Sequence, residues 1–180
     1  MALAEKIQHL KLVIGALDVT VVREAWAAPS LPDGVPKGAI VEILGTKKFE
    51  WFIQFLKLHP EIKTFWAEKD QQVLPTALQQ RGVDLKQVTF GLLGNDSFVS
   101  LRKIIQSQVY EVIIAPNSFT ELRVFRAFQL ITEKSNNTLF LVGQKKASTA
   151  WPIALQLDIS HDKDKNFKLE VLKQRYGRPE

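Results

Sequence analysis

Four residues, Gly45-Thr46-Lys47-Lys48, occupy the position where a phosphate-binding loop would have to lie. Residues 38–44 are predicted to form a buried strand, and an amphipathic helix is predicted from about Lys48. A nucleotide-binding loop needs several glycines that aim backbone N–H groups at phosphates, a Lys for the β- and γ-phosphates, and a Ser or Thr for magnesium. This connection has one glycine, and Phe49 follows its lysines. We therefore expect a binding protein and not an enzyme.

Composition limits the class of protein. The 180 residues, 46% hydrophobic and 24% charged, are typical of a globular domain with one substantial core. The chain has no cysteine, which excludes thiolate metal sites and fits a cytoplasmic location. Its three histidines have no metal-ligand spacing, and we expect neither a metal nor a cofactor. No apolar run approaches the roughly 20 residues of a membrane span, and the net charge of +5 permits contact with nucleic acid or an acidic protein.

The first part of the chain is predicted to be a helix followed by a connector. A helix is indicated at residues 4–17, where four apolar side chains form a narrow stripe suited to packing against a single surface. These side chains are Ile7, Leu10, Ile14 and Leu17. Residues 27–38 are rich in Pro and Gly, which predicts a connector without regular structure.

Strand and helix patterns alternate from residue 38 onward, which predicts an α/β fold with a mostly parallel sheet flanked by helices. The predicted strands are largely apolar and lie at residues 39–44, 62–66, 87–90, 109–115 and 138–142. The predicted helices lie at residues 48–58, 71–81, 97–107 and 118–133. Two further strands, at 153–157 and 167–172, are separated by a polar turn and predict a C-terminal β-hairpin.

The helix predicted at 48–58 carries two apolar stripes. One stripe consists of Phe49, Phe52, Ile53 and Leu56, at the spacing of a face buried against a core. The other consists of Trp51 and Phe55. Core packing is the preferred interpretation of this second stripe, because helices that cover a parallel sheet are often buried broadly. An exposed Trp–Phe pair would instead suit a protein interface.

Four stretches, in this order, resemble the core of the RecA recombinase superfamily. They are GVPKGAIVEI (residues 34–43), GVDL (82–85), TLFLVGQ (138–144) and LEVLKQRYGRP (169–179). The resemblance implies a RecA-like core domain at residues 34–180, preceded by an N-terminal helix and linker at 1–33. It also implies that the N-terminal helix docks on a neighbouring protomer, and that Lys173 and Arg175 face a neighbour's nucleotide site.

Three parts of the ATP site of that superfamily are missing here. Besides the shortened loop, Ala115 stands at the position of the Asp that organises magnesium. Ala67 stands where a further Asp is expected, and Glu68 is only near the position of the catalytic glutamate. Phosphoryl transfer depends on positioning and charge neutralisation around Mg²⁺. The resemblance therefore implies a degenerate nucleotide site, with the residues Gly45, Thr46, Lys47, Lys48, Glu68 and Ala115.

The DNA-binding loop of the superfamily is also shortened. Gln144 resembles the glutamine that couples nucleotide binding to DNA binding, and it is followed by the short loop 145–150. Lys145 and Lys146 are candidate contacts to phosphates, while a solvated turn is an equally good interpretation. Weak binding of single-stranded DNA is therefore one functional alternative.

Two branches of the superfamily with little or no ATP chemistry resemble this chain. The ImuA-like accessories of mutagenic translesion synthesis share GVPKG (34–38) and VLKQRYGRP (171–179). The SulA-like division inhibitors, which bind FtsZ, share the short strand–helix connection and GVDLKQV (82–88). The terminal hairpin favours the ImuA-like interpretation. It implies a non-catalytic protein of the SOS DNA-damage response that binds RecA or its filament and a Y-family polymerase-like (ImuB-like) partner. A SulA-like inhibitor of FtsZ is the alternative.

Overall fold

The computed structural model describes residues 24–70, 73–147, 151–161 and 167–175. Within these ranges the chain forms nine strands, four α-helices and one short 3-10 helix, Leu85–Gln87. The strands are β1 (Ala25–Ala28), β2 (Leu31–Pro36), β3 (Ile40–Leu44), β4 (Thr64–Glu68), β5 (Val88–Leu92), β6 (Val112–Pro116), β7 (Thr138–Val142), β8 (Leu155–His161) and β9 (Phe167–Gln174). The helices are α1 (Lys48–Leu58), α2 (Pro75–Gln80), α3 (Ser97–Gln106) and α4 (Leu122–Ser135).

Seven strands form one sheet in the order β5-β4-β6-β7-β3-β8-β9. Every neighbouring pair is parallel except β8 and β9, which are antiparallel. The predicted α/β class, the mostly parallel sheet and the C-terminal hairpin are therefore confirmed. This architecture is consistent with a Rossmann or RecA-like fold.

Helices cover both faces of the sheet and create two apolar layers. One layer holds α1 and α2 together with Val41 and Ile43 of β3. The other holds α3 and α4 together with Ile40 of the same strand. All five residues of β3 are buried because consecutive side chains of a strand point to opposite faces, and both faces are covered. The central strands therefore read as continuous apolar runs.

The prediction of a connector without regular structure at residues 27–38 is wrong over most of that range. β1 and β2 pair as an antiparallel hairpin across a turn in which Ser30 has φ 59°. The prolines of β2 are tolerated because a two-stranded ribbon leaves one side of each strand without a partner, so a missing N–H removes no ladder bond. The predicted boundary between the N-terminal helix and linker (1–33) and the core domain (34–180) falls within β2. This boundary stays a prediction.

The hairpin covers α1 and explains the burial of the second apolar stripe. Trp51 and Phe55 are 1% and 0% exposed, and the Trp51 indole donates to the Pro29 carbonyl oxygen at 3.0 Å. The preferred interpretation, core packing, is therefore confirmed. Phe49 was predicted on the buried face, but it is 39% exposed and stacks on Trp66. That prediction is wrong because Phe49 lies in the first turn of α1, where the stacking on Trp66 leaves part of its ring open to solvent.

Other boundaries shift by a few residues. The helix predicted at 118–133 is α4, Leu122–Ser135, and the strand predicted at 62–66 is β4, Thr64–Glu68. β5 was expected to be buried on both faces, yet only Val88 is buried, because β5 lies at the edge of the sheet. The helix predicted at residues 4–17 lies outside the described residues. In the part of the chain that the structure describes, no helix has the length and apolar character needed to cross a lipid bilayer.

Candidate functional site

A pocket of about 680 Å³ opens at the carboxyl edge of the sheet, above the ends of β4, β6 and β7. This edge is where parallel α/β sheets usually bind ligands, and the volume is in the range of ligand-binding pockets. Four aromatic residues form much of its wall: Phe49, Trp66, Phe119 and Trp151. Four cationic residues also line it: Lys48, Lys69, Lys145 and Lys146.

The connection between β3 and α1 lies against β8. Gly45 has φ 94°, a left-handed conformation, and a Cβ at this position would collide with the backbone carbonyl oxygen of Ile159. The backbone N–H of Lys47 donates to the same oxygen at 2.9 Å. A phosphate-binding loop keeps its N–H groups directed at the ligand. Here the Lys47 N–H is instead hydrogen-bonded to the protein's own backbone.

Lys48 is also engaged by the protein. Its Nζ donates to the Gly143 carbonyl oxygen at 2.9 Å and lies 5.8 Å from the centre of the Phe49 ring. Partial burial lowers the pKa of Lys48 below its ordinary value of 10.5, because removal from water disfavours the charged ammonium. Lys48 therefore links α1 to the end of β7.

The predicted nucleotide-site residues separate into two groups. Glu68 and Ala115 line the pocket, together with Lys48. Gly45 and Lys47 instead belong to the connection that packs against β8, where Thr46 is exposed. Ala115 is fully buried, and one carboxylate oxygen of Glu68 accepts the Val73 N–H at 2.9 Å. The residues resembling an ATP site thus share one end of the sheet, but they form no phosphate cradle among the described residues.

The candidate DNA-contact residues lie at the mouth of the same pocket. Gln144, Lys145 and Lys146 are all exposed and line it. Trp66 and Trp151 belong to its wall. The structure therefore places exposed cations beside aromatic rings, an arrangement that occurs in sites for single-stranded nucleic acid.

The buried carboxylate of Glu42 was not predicted from the sequence. Glu42 is 0% exposed in the middle of β3. It accepts hydrogen bonds from Asn117 Nδ2 and Gln156 Nε2, both at 2.8 Å, and from the Ala147 N–H at 3.1 Å. These contacts satisfy a charge that would otherwise be costly to bury. A lone Glu within the apolar run of residues 40–44 was the available signal.

The two C-terminal cations predicted to bind a partner have different environments. Lys173 donates to the Trp151 carbonyl oxygen at 2.7 Å. Its pKa is lowered, mainly by desolvation and then by the neighbouring charges of Arg175 and Lys146, although Glu42 acts in the opposite direction. Arg175 is exposed. Ile7, Leu10, Ile14 and Leu17, the other predicted partner contacts, lie outside the described residues.

No group of three or more His, Asp or Glu side chains within the described ranges is arranged to hold a metal ion. No known family model matches this chain. No curated protein is significantly similar to it in sequence.

Proposed function

We propose that this chain is a non-catalytic RecA-like protein of the SOS DNA-damage response. In this proposal it binds RecA or its filament, and a Y-family polymerase-like partner, and so supports or regulates translesion DNA synthesis. The observation that carries the proposal is the β3–α1 connection, which packs against β8 where a RecA-like ATPase would hold phosphates.

The geometry of this connection argues against ATP hydrolysis in three steps. Gly45 lies against the Ile159 carbonyl oxygen, so the connection packs on β8 and is not open toward a ligand. The Lys47 N–H and the Lys48 ammonium are bound to carbonyl oxygens of the protein. Ala115 provides no carboxylate to organise magnesium. A phosphoryl-transfer site depends on such groups acting together.

A RecA-like subunit without ATP chemistry is suited to docking. Its surface would be complementary to a RecA neighbour, yet without an ATP site of its own it would not propagate the filament. The resemblance assigns the docking stripe to residues 4–17 and a second contact to Lys173 and Arg175. Of these two, Arg175 is the more accessible, since Lys173 is bound to Trp151.

The test is a pulldown of RecA filaments assembled on single-stranded DNA with a non-hydrolysable ATP analogue. The parent protein should bind the filaments and shorten them as its concentration rises. The double substitution Ile7→Asp and Leu10→Asp should abolish binding. The matched control is Leu58→Asp with Leu130→Asp, because both leucines are exposed on described helices. It should bind like the parent.

Two results would contradict this proposal. If the parent does not bind the filament, the docking hypothesis fails, and FtsZ is the next partner to test. In that case overexpression should produce filamentous cells rather than a changed mutation frequency. If the Ile7/Leu10 variant binds as well as the parent, the predicted docking stripe is wrong.

A second function, binding of single-stranded DNA, is favoured by the lysines and aromatic rings of the pocket. Binding should weaken steeply with salt, because it would depend on counterion release from phosphates. Lys145→Glu with Lys146→Glu should remove it, whereas Lys103→Glu with Lys134→Glu makes the same charge change on α3 and α4 and should weaken it much less. A fluorescence-anisotropy titration with a labelled oligonucleotide measures the affinity of the parent and of both double variants, and its dependence on salt. Salt-independent binding would exclude this function.

A further inference from the structure

The outer edge of β5 has no partner strand in the part of the chain that the structure describes. Thr89 is exposed, Phe90 and Gly91 are half-buried, and Leu92 is 59% exposed. An edge strand presents unpaired N–H and C=O groups that can pair with another strand. The residue types of β5, VTFGL, include neither a charge nor a proline to prevent this.

The direction of the free backbone groups follows from one hydrogen bond. Leu93 N–H donates to the Glu68 carbonyl oxygen of β4 at 2.7 Å. Backbone groups alternate in direction along a strand. Thr89 and Gly91 therefore also face β4, while Phe90 and Leu92 direct their N–H and C=O groups outward. Val88 directs its C=O outward as well, but its N–H is bound to the Leu85 carbonyl oxygen.

The opposite edge of the sheet differs. β9 carries Lys168, Glu170 and Lys173 along its eight residues. Charged side chains on an edge strand discourage pairing with a second strand, because the approach would desolvate them or bring like charges together. Of the two edges of this sheet, β5 is the one without such protection.

We propose that two copies of this chain pair through β5, antiparallel about a two-fold axis at Phe90. In this register Phe90 faces Phe90 of the second copy, and the two residues exchange both hydrogen bonds. Leu92 N–H donates to the Val88 carbonyl oxygen of the second copy, and the symmetry repeats this bond. The inference does not depend on the proposed function.

The register makes the strand complementary to itself. Val88, Phe90 and Leu92 lie on one face of β5 because they are two residues apart. The two-fold axis sets Val88 opposite Leu92, so every pair on that face is apolar and no charged residues oppose each other. Apolar cross-strand pairs of this kind stabilise sheets. A second copy is therefore the occupant that this edge fits.

The test compares Leu92→Pro with Leu92→Ala by sedimentation equilibrium over a range of protein concentrations. Proline at position 92 removes the outward N–H and leaves the hydrogen bonds to β4 intact, which is the position where edge strands tolerate it. Alanine keeps the N–H and shortens the same side chain. The parent and the alanine variant should dimerise. The proline variant should dimerise about tenfold or more weakly than the alanine variant, through the loss of two symmetry-related hydrogen bonds.

Leu92→Lys gives an independent measurement if the proline variant does not fold. It places a charge opposite Val88 of the second copy, at a side chain that is already exposed, and should also yield monomers. Leu130→Lys on α4 is the matched control, since Leu130 is 68% exposed, and it should dimerise like the parent. The proposal is overturned if the parent is monomeric at every concentration, or if Leu92→Lys and a folded Leu92→Pro both dimerise as tightly as the parent.

Discussion

At the scale of single residues, Gly45 determines the path of the chain from β3 to α1. Its positive φ and its proximity to the Ile159 carbonyl oxygen exclude a side chain. Gly45→Ala should lower the free energy of unfolding by about 2 kcal/mol or more, because a non-glycine residue in this conformation is strained and its Cβ displaces β8. Urea unfolding measures the change.

Gly94→Ala is the control for this prediction. Gly94 has no atom within 4 Å of an added Cβ. Its substitution should change the free energy of unfolding by less than about 0.5 kcal/mol. Equal effects of the two substitutions would show that the Gly45 connection is not constrained by β8.

Glu42 joins three neighbouring segments through one carboxylate. Its oxygens accept from Asn117, Ala147 and Gln156, which belong to the segments after β6 and β7 and to β8. Because all three donors share this acceptor, Glu42 links the segments after β6 and β7 to β8 on one side of the pocket.

Glu42→Gln should lower the free energy of unfolding by about 1–3 kcal/mol. The substitution preserves shape but replaces an acceptor with an NH₂ group that faces a donor, so at least one buried hydrogen bond is lost. The exposed Glu170→Gln is the control. A stability equal to that of the parent would mean that these hydrogen bonds make no net contribution to the free energy of unfolding.

At the scale of elements, the β1–β2 hairpin is attached to the sheet by polar contacts as well as by packing. The Thr138 hydroxyl accepts from the Trp26 indole and donates to the Pro36 carbonyl oxygen, both at 3.1 Å. His59, at the end of α1, places its Nε2 2.7 Å from the Ala27 carbonyl oxygen. The hairpin thereby covers Trp51 and Phe55, which α1 alone would expose.

Thr138→Val should loosen this attachment without changing side-chain volume. It removes both hydrogen bonds of a fully buried hydroxyl, and the expected loss is about 1–3 kcal/mol of unfolding free energy. Faster hydrogen exchange should be confined to β1 and β2 if the hairpin opens separately. Thr120→Val, at an exposed loop position, is the control. Unchanged exchange in the hairpin would contradict the prediction.

At the scale of the whole molecule, one sheet separates two apolar layers that share its central strands. β3 contributes Val41 to one layer and Ile40 to the other. Loss of either layer would expose the strands that support the second. We therefore expect a single cooperative unfolding transition.

Tryptophan fluorescence and circular dichroism test this cooperativity. Trp51 and Trp66 report on the layer under α1, whereas Trp151 packs against the other layer beside Phe125. The fluorescence and ellipticity curves in urea should coincide. Separate midpoints would show that unfolding is not a single cooperative transition.

The sequence alone determined the class of the fold and much of its element order. β3 and β7 are apolar runs bounded by turn residues, and α1 has a clear helical period, so these local patterns predict element type directly. The missing glycines after β3 predicted a degenerate nucleotide site, and this stays a prediction. These features depend on residues that are near one another in the chain.

Only the tertiary structure decided which distant residues meet. The β1–β2 hairpin was not predicted because its prolines indicate irregular structure unless both strands have an open side. Trp66, Trp151 and Lys48 form one pocket because parallel strands from separate parts of the chain end at the same edge of the sheet. Glu42 is stabilised by donors 75, 105 and 114 residues away. Local periodicity contains no information about such pairings, since they depend on strand order.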